Sequence, residues 1–489
     1  MAASCLEIGI PDGMTSMAEN FDYEGNDAAG LAHLIACGEA TPTELLEAAF
    51  SRIETKDKEI GSVVSTFYEK ARAQIDAGLP KGPLSGVPFL LKDLGVEYAG
   101  TPFRLGSRLL SDYVSTRTTH MVSRYLSAGL VIAGKVSTSE AGLVGTVETE
   151  ADGITKNPWD LSLSTGGSSG GSGAAVAARL VPMAHGSDAG GSMRIPASWC
   201  GMFGFKPSRG RNSSAPSGEG SAGLTTIHAI TRSVRDSALL LDITQGYVPG
   251  DPYTAPPPAR PYAQEVSAPV GRLRIGLARI SEVTPSDNAQ KAMRLTCDVL
   301  RSLGHQVEEF DLPFSPRSAR HLMRLITGGY MGNMLDQHAQ RRFGRPLERG
   351  DVERQTWETI EQSRTVSASG YIAALNDMHA SNRRLAPYFE RFDIVLSPTT
   401  NDVAQPLGTL RLDADSIDQT HEKLMSCFPY TQIYNQTGQP AMSVPLFWTD
   451  EGLPLGSQFS SGYGREDVLF RLAGQLEAAC PWAHRRPAR

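Results

Sequence analysis

From Ser164 to Gly173 every residue is serine, threonine or glycine, and a second cluster, Asp188-Ala189-Gly190-Gly191-Ser192, follows one Ala-rich segment later. Such stretches are commonly flexible linkers. Here the first cluster stands between Pro158-Trp159 and Ala174–Leu180, inside the longest dense apolar region of the chain, which is the wrong place for a linker. Two glycine-serine loops bracketing one helix and one strand are expected to meet. Glycine lets backbone approach a ligand closely. Successive exposed N–H groups in such loops form anion-binding nests, which is what an oxyanion hole requires.

A serine hydroxyl becomes a nucleophile only beside a base. His185 is the histidine near these loops, but an odd separation along a strand places it and Ser192 on opposite faces, and it reads as a packed strand residue. Lys92 is the other candidate. It ends the apolar run Val87–Leu91, where burial would lower its pKa and leave a neutral amine. A lysine at a strand end more commonly snorkels to water. Three patterns are excluded. Gly166-Gly167-Ser168-Ser169-Gly170 matches a nucleophile elbow, yet no apolar strand is expected before it. Gly129–Lys135 has P-loop spacing, but Val136 stands where Ser or Thr must follow. No Ser-x-x-Lys occurs in the chain.

The elements that must position these residues alternate between helix and strand, which predicts an α/β layered fold. Asp27 caps a helix Ala28–Cys37, and Thr41-Pro42-Thr43-Glu44 reads as N-cap, N1 proline and capping-box glutamate. Strands are expected over Leu84–Leu91, Leu130–Ala133 (closed by Gly134), Val181–Ala184, Leu273–Leu277, Phe392–Leu396 and Ala441–Leu446. Helices are expected over Thr119–Ala128, Ala174–Leu180, Arg232–Ile243, Asn288–Leu303, most of 322–386, and Asp467–Ala479. Residues 210–223 read as a surface loop, and the Pro-rich stretch 247–261 as the best linker candidate.

The 489 residues carry 46 Lys+Arg and 53 Asp+Glu, a net charge of −7, so the basic face that nucleic acid needs is not indicated. The six cysteines show no Cys-x-x-Cys spacing and suit a reducing compartment. The N-terminus lacks signal-peptide layout, and no window approaches a membrane span. The expectation is a cytoplasmic protein.

The clusters Gly166–Ser172 and Gly186-Ser187-Asp188-Ala189-Gly190-Gly191-Ser192-Met193-Arg194-Ile195-Pro196-Ala197, with Cys200-Gly201 and Gly204-Phe205-Lys206-Pro207, resemble the amidase signature family. The resemblance runs from Asp27 to Pro487 and takes in Pro88–Asp93, Asn157-Pro158-Trp159, Arg232–Asp236, Ser397-Pro398-Thr399 and Thr437–Ala441. It implies one domain over 25–489 after an N-terminal arm, 1–24, with a central twisted mixed sheet covered by helices on both faces. The catalytic core would lie at 80–240 and a substrate-facing helical segment at 314–390. It implies a triad of Lys92, Ser168 in a cis peptide linkage and nucleophilic Ser192, and an oxyanion hole from the N–H groups of Ala189, Gly190, Gly191 and Ser192. It implies no metal and no cofactor.

Within the family, Gly171–Ala178, Arg260–Gln264, Gly344–Leu347, Tyr463–Asp467 and Pro481–Pro487 are similar to 6-aminohexanoate cyclic-dimer hydrolases. The substrate so implied is a neutral, fairly apolar linear or cyclic amide; residues 314–343 diverge. Aryl acylamides, carbamates and a glutamine amidotransferase A-type subunit are the alternatives, with a catalytically dead binding module further off. Tyr330, Met331 and Phe428 read either as helix core or as an apolar substrate wall. The partner expected is a small molecule, with a homodimer allowed for.

Overall fold

The structure is a computed structural model that describes residues 21–410 and 416–488. Its first helices start as their residue types require. Asp27 accepts the Gly30 N–H at the head of α1 (Ala28–Cys37), and Thr41 and Glu44 close a reciprocal capping box on α2 (Pro42–Ile60). Such a cap contributes about 1 kcal/mol. Most of the expected arm, residues 1–20, lies outside the described residues. Its last part is packed: Tyr23 is buried and donates to the Leu180 carbonyl at 3.1 Å. The packed body therefore begins before residue 25.

Eleven strands form one mixed sheet. They are β1 (Val63–Thr66), β2 (Pro88–Lys92), β3 (Val131–Val136), β4 (Met183–Asp188), β5 (Phe203–Lys206), β6 (Thr226–Thr231), β7 (Arg274–Arg279), β8 (Gln306–Asp311), β9 (Ile394–Pro398), β10 (Ala441–Trp448) and β11 (Pro454–Ser460). Their order is β1-β3-β2-β4-β6-β5-β10-β11-β9-β7-β8. β2 runs parallel to both β3 and β4, whereas β4, β6, β5, β10, β11 and β9 follow antiparallel in turn. Every residue of β2 to β6, β9 and β11 is buried. Successive strand residues face opposite sides, so both faces of the sheet are covered, as an α/β layered domain requires.

Several boundaries differ from expectation for local reasons. β3 runs through Gly134, because β1 lies so close there that a Cβ would stand 2.3 Å from the Ser65 carbonyl oxygen. The Ala-rich helix, α3 (Gly170–Ala177), starts inside the glycine cluster. A Cβ at Gly171 would lie 2.5 Å from Ser137 Oγ, so glycine lets the helix pack there. β2 begins at Pro88, four residues late, and the strand after α3 runs on to Asp188. Residues 160–164 form a short strand, unexpected before Gly166, but it pairs with Lys156–Asn157 in a separate hairpin and bridges to Pro406, outside the main sheet. Residues 210–223 are exposed at their tip yet anchored by buried Arg211, whose guanidinium binds Glu466 at 3.0 and 2.9 Å. The stretch 247–261 divides nothing, since the sheet continues through β5 and β10 on either side of it.

α4 (Arg194–Cys200) follows β4, and the long α5 (Pro316–Phe343) opens the helical segment expected near 314–390. α6 (Ile417–Cys427) and α7 (Glu466–Ala479) complete the helices named below. No helix among the described residues is long and apolar enough to cross a membrane.

Candidate active site

Lys92 is the last residue of β2 and has no exposed surface. The preceding Phe89, Leu90 and Leu91 are equally sealed, so the apolar run carries the lysine into the interior. Its Nζ meets three serine hydroxyls: Ser168 Oγ at 2.7 Å, Ser169 Oγ at 2.9 Å and Ser187 Oγ at 3.0 Å. Burial pushes its pKa down from 10.5 to about 7, with the Asp188 carboxylate pulling the other way. Both protonation states are then available near neutral pH. A neutral amine has two N–H groups and one lone pair. Ser169 Oγ already donates to the Ser187 carbonyl at 3.1 Å, so towards Nζ it accepts. The lone pair is left for Ser168 or Ser187.

The Gly167–Ser168 peptide bond is cis. A Cβ at Gly167 would lie 2.8 Å from the Thr146 nitrogen, so no side chain fits. The two glycine-serine clusters do meet: the Ser169 N–H donates to the Ser192 carbonyl at 3.1 Å.

Asp188 closes β4 and organises the second cluster. It accepts from the Gly191 N–H at 2.8 Å and from Arg194 Nε and Nη2, both at 2.9 Å. Asn435 Nδ2 donates to its Oδ1 and its carbonyl, each at 2.9 Å. Burial would raise the Asp188 carboxyl; Arg194 and these hydrogen bonds hold it well below its usual range. Arg194 is itself fully buried and also reaches Gln458 Oε1 at 2.7 Å and the Thr431 carbonyl at 2.9 Å. Gly191 has φ +124°, and a Cβ there would stand 2.4 Å from Thr431 Oγ1. Only glycine suits that point.

Ser168 and Ser192 line one cavity of about 380 Å³, with Ala189 and Gly190 at its wall. Their two hydroxyls are not in hydrogen-bond contact; catalytic contacts of this kind often tighten only around a bound substrate. Of the four N–H groups expected to hold an oxyanion, that of Gly191 is engaged by Asp188. Ala189, Gly190 and Ser192 remain as candidate donors.

His185 is a buried strand residue whose Nδ1 accepts the Lys92 backbone N–H at 3.2 Å. The alternation argument that set it apart from Ser192 does not reach that far, because β4 ends at Asp188. The Gly129–Lys135 stretch lies in and before β3, with Lys135 paired to Asp93 at 3.0 Å. Tyr330, Met331 and Phe428 all line the cavity. Phe428 and Met331 also pack, Phe428 obliquely on Trp199 at 5.0 Å and Met331 against the cluster holding Leu335, whereas Tyr330 is exposed.

Sequence reasoning missed Ser169 and Ser187 as partners of Lys92, and the Asp188–Arg194 pair under the turn. Arg194, heading the otherwise uncharged Ile195–Cys200, was the available signal.

The Amidase family model matches residues 44–470, and the chain belongs to that family, the amidase signature enzymes. The chain is 38% identical to a 6-aminohexanoate-cyclic-dimer hydrolase of Pseudomonas sp. (strain NK87), over 94% of this chain and 96% of the relative. A solved 6-aminohexanoate cyclic dimer hydrolase in complex with substrate superposes with a TM-score of 0.89 at 35% identity, covering 95% of this chain and 99% of that one. A bacterial aryl acylamidase of the amidase signature family superposes with a TM-score of 0.85 at 28% identity, covering 94% and 97%. The chain is thus an amidase-family hydrolase of carbon–nitrogen amide bonds.

Proposed function

We propose that this chain hydrolyses small-molecule amides through an acyl-enzyme on Ser192, with neutral Lys92 as base and Ser168 as proton relay. The observation that supports it is a lysine amine sealed from solvent, 2.7 Å from Ser168 Oγ, beside the cavity that Ser192 lines. Ser168 passes its proton to Lys92 and takes that of Ser192, whose oxygen attacks the amide carbon. N–H groups of Ala189, Gly190 and Ser192 receive the developing oxyanion, each such donor contributing about 3 kcal/mol. Lys92 and Ser168 return the proton to the leaving amine, and water then releases the acyl group. None of these steps calls on a metal or cofactor.

For substrate we propose a fairly apolar linear or cyclic amide of the 6-aminohexanoate type. The full-length similarity to the cyclic-dimer hydrolases and the cavity wall of Met331, Tyr330 and Phe428 support this. Similarity to an aryl acylamidase keeps anilides as the second reading. The test is a fluorophosphonate probe together with a hydrolysis panel of linear and cyclic aminohexanoate amides, anilides, carbamates and glutamine. The probe is expected to label wild type and not Ser192→Ala, and the aminohexanoate amides to be cleaved fastest. Labelling that survives in Ser192→Ala removes the nucleophile, and preference for glutamine or an anilide replaces the substrate.

A further inference from the structure

α5 presents Arg320, Met323, Arg324, Thr327, Tyr330 and Met331 to the cavity. The spacing keeps one helix face on the cavity throughout. Met323 abuts the turn that carries Ser192: a Cβ at Gly190 would stand 2.8 Å from its Cε. Arg320 and Arg324 flank Met323 in sequence, and both line the same cavity.

These two lack ordinary partners. Half-buried Arg320 meets no carboxylate among the described residues, and burial together with Arg324 pushes its pKa down to about 10. Arg324 Nη1 contacts His421 Nδ1 at 2.5 Å, while its Nε is buried with no hydrogen-bond partner. The carboxylate beside it, Asp418, lies 3.7 Å away and is 84% exposed, which leaves that interaction weak. Burial and the two arginines push His421 down to about 3, so its ring is neutral. Since Nδ1 accepts from Arg324, Nε2 carries the proton and is a further donor. The other arginines of the cavity differ. Arg117 is paired with Glu97 at 2.7 Å, and Arg341 is exposed over the Tyr113 ring at 4.1 Å.

Two cations and a neutral donor, partly withdrawn from water with one solvent-screened counter-charge among the described residues, are an arrangement that an anion completes. Guanidinium forks match carboxylates in particular. We propose that Arg320, Arg324 and His421 form a carboxylate subsite, so that the amide cleaved carries a carboxylate away from its scissile bond. This rests on the amide-hydrolase reading and, within the linear and cyclic amides proposed above, selects the linear ones, which carry a carboxylate.

The test compares kcat/KM for each acid with that for its methyl ester. Adipic acid mono-4-nitroanilide places the carboxylate on the acyl half; 6-acetamidohexanoate places it on the amine half. In one pair the acid is expected to exceed its ester by about tenfold or more, and the double variant Arg320→Gln, Arg324→Gln to reduce that ratio by a similar factor. Ratios near one in both pairs, or a ratio that survives the substitutions, overturn the subsite. In parallel, calorimetry follows binding of both acids to Ser192→Ala protein. Binding of either acid weakened about tenfold by Arg320→Gln supports the subsite; binding absent for both, or unchanged by that substitution, overturns it. Because this arm needs no turnover, a protein that binds the acid but cleaves no amide would defeat the hydrolase reading and keep the subsite.

Discussion

His185 Nδ1 accepts the backbone N–H of Lys92 at 3.2 Å, next to the point where β2 touches β4 at Leu90 and Ala184. The histidine's accepting lone pair is therefore spent on main chain. Burial, reinforced by Lys92, pushes its pKa well below the usual value. His185 is held against Lys92 and is not free to be a base, in keeping with the role proposed for Lys92.

The first prediction is a pH profile. Folding lowers the Lys92 pKa from 10.5 to about 7. Log kcat/KM should rise with unit slope up to about pH 7 and level off above it, as a base in the free enzyme demands. For stability the sign is the same: between pH 7 and 10.5 the unfolded chain binds the proton that the folded chain releases. This group's contribution to stability therefore rises with pH across that window. A profile flat from about pH 5 to pH 8 would remove Lys92 as the base. Lys92→Ala should lower kcat by roughly 10³-fold or more, because members of such a set act as a unit.

The three serines around Nζ should not be equivalent. Ser169 has committed its proton to the Ser187 carbonyl, so it can only help to orient the amine. Ser168→Ala is expected to lower kcat by roughly 10³-fold, and Ser169→Ala by roughly 10-fold at most, the scale of one hydrogen bond between neutral groups. Equal losses, measured on the same substrate, would dissolve the relay.

Asp188→Asn should destabilise the fold. It would leave the Arg194 guanidinium, fully buried, without its counter-charge. Breaking one side of such a pair costs about 3–5 kcal/mol. The urea-unfolding midpoint measures it, and a loss under about 1 kcal/mol would mean that water reaches the pair.

Gly191→Ala should strike activity. The new Cβ would press on Thr431 Oγ1 at 2.4 Å, at φ +124°, and shift the turn between Gly190 and Ser192. A misplaced oxyanion donor lowers kcat by roughly 10²–10³-fold. An unchanged kcat would show that the turn does not hold the oxyanion.

Much was legible locally. The capping box at Thr41, the apolar run leading to Lys92 and the two glycine-serine clusters depend on neighbours in the chain, and residue type decides them. Gly134 misled because its meaning is set by β1, whose Ser65 carbonyl crowds it. The stretch 247–261 misled because a proline-rich segment looks the same whether it joins two domains or crosses the surface of one.

What the sequence by itself determined is the supply of parts: an α/β layering, two glycine-serine turns, and a lysine at the end of an apolar run; the fold decided that this lysine is buried rather than snorkelling. Tertiary structure decided which hydroxyls surround that amine, and that Asn435 and Gln458, 241 and 264 residues from Arg194, complete the buried network under the turn. It also decided that Arg320 and Arg324 line the cavity with no buried carboxylate paired to either among the described residues. The physical reason is range. Turn and cap preferences act over a few residues, whereas desolvation and ion pairing depend on whatever the fold brings within a few ångströms, wherever it lies in the chain.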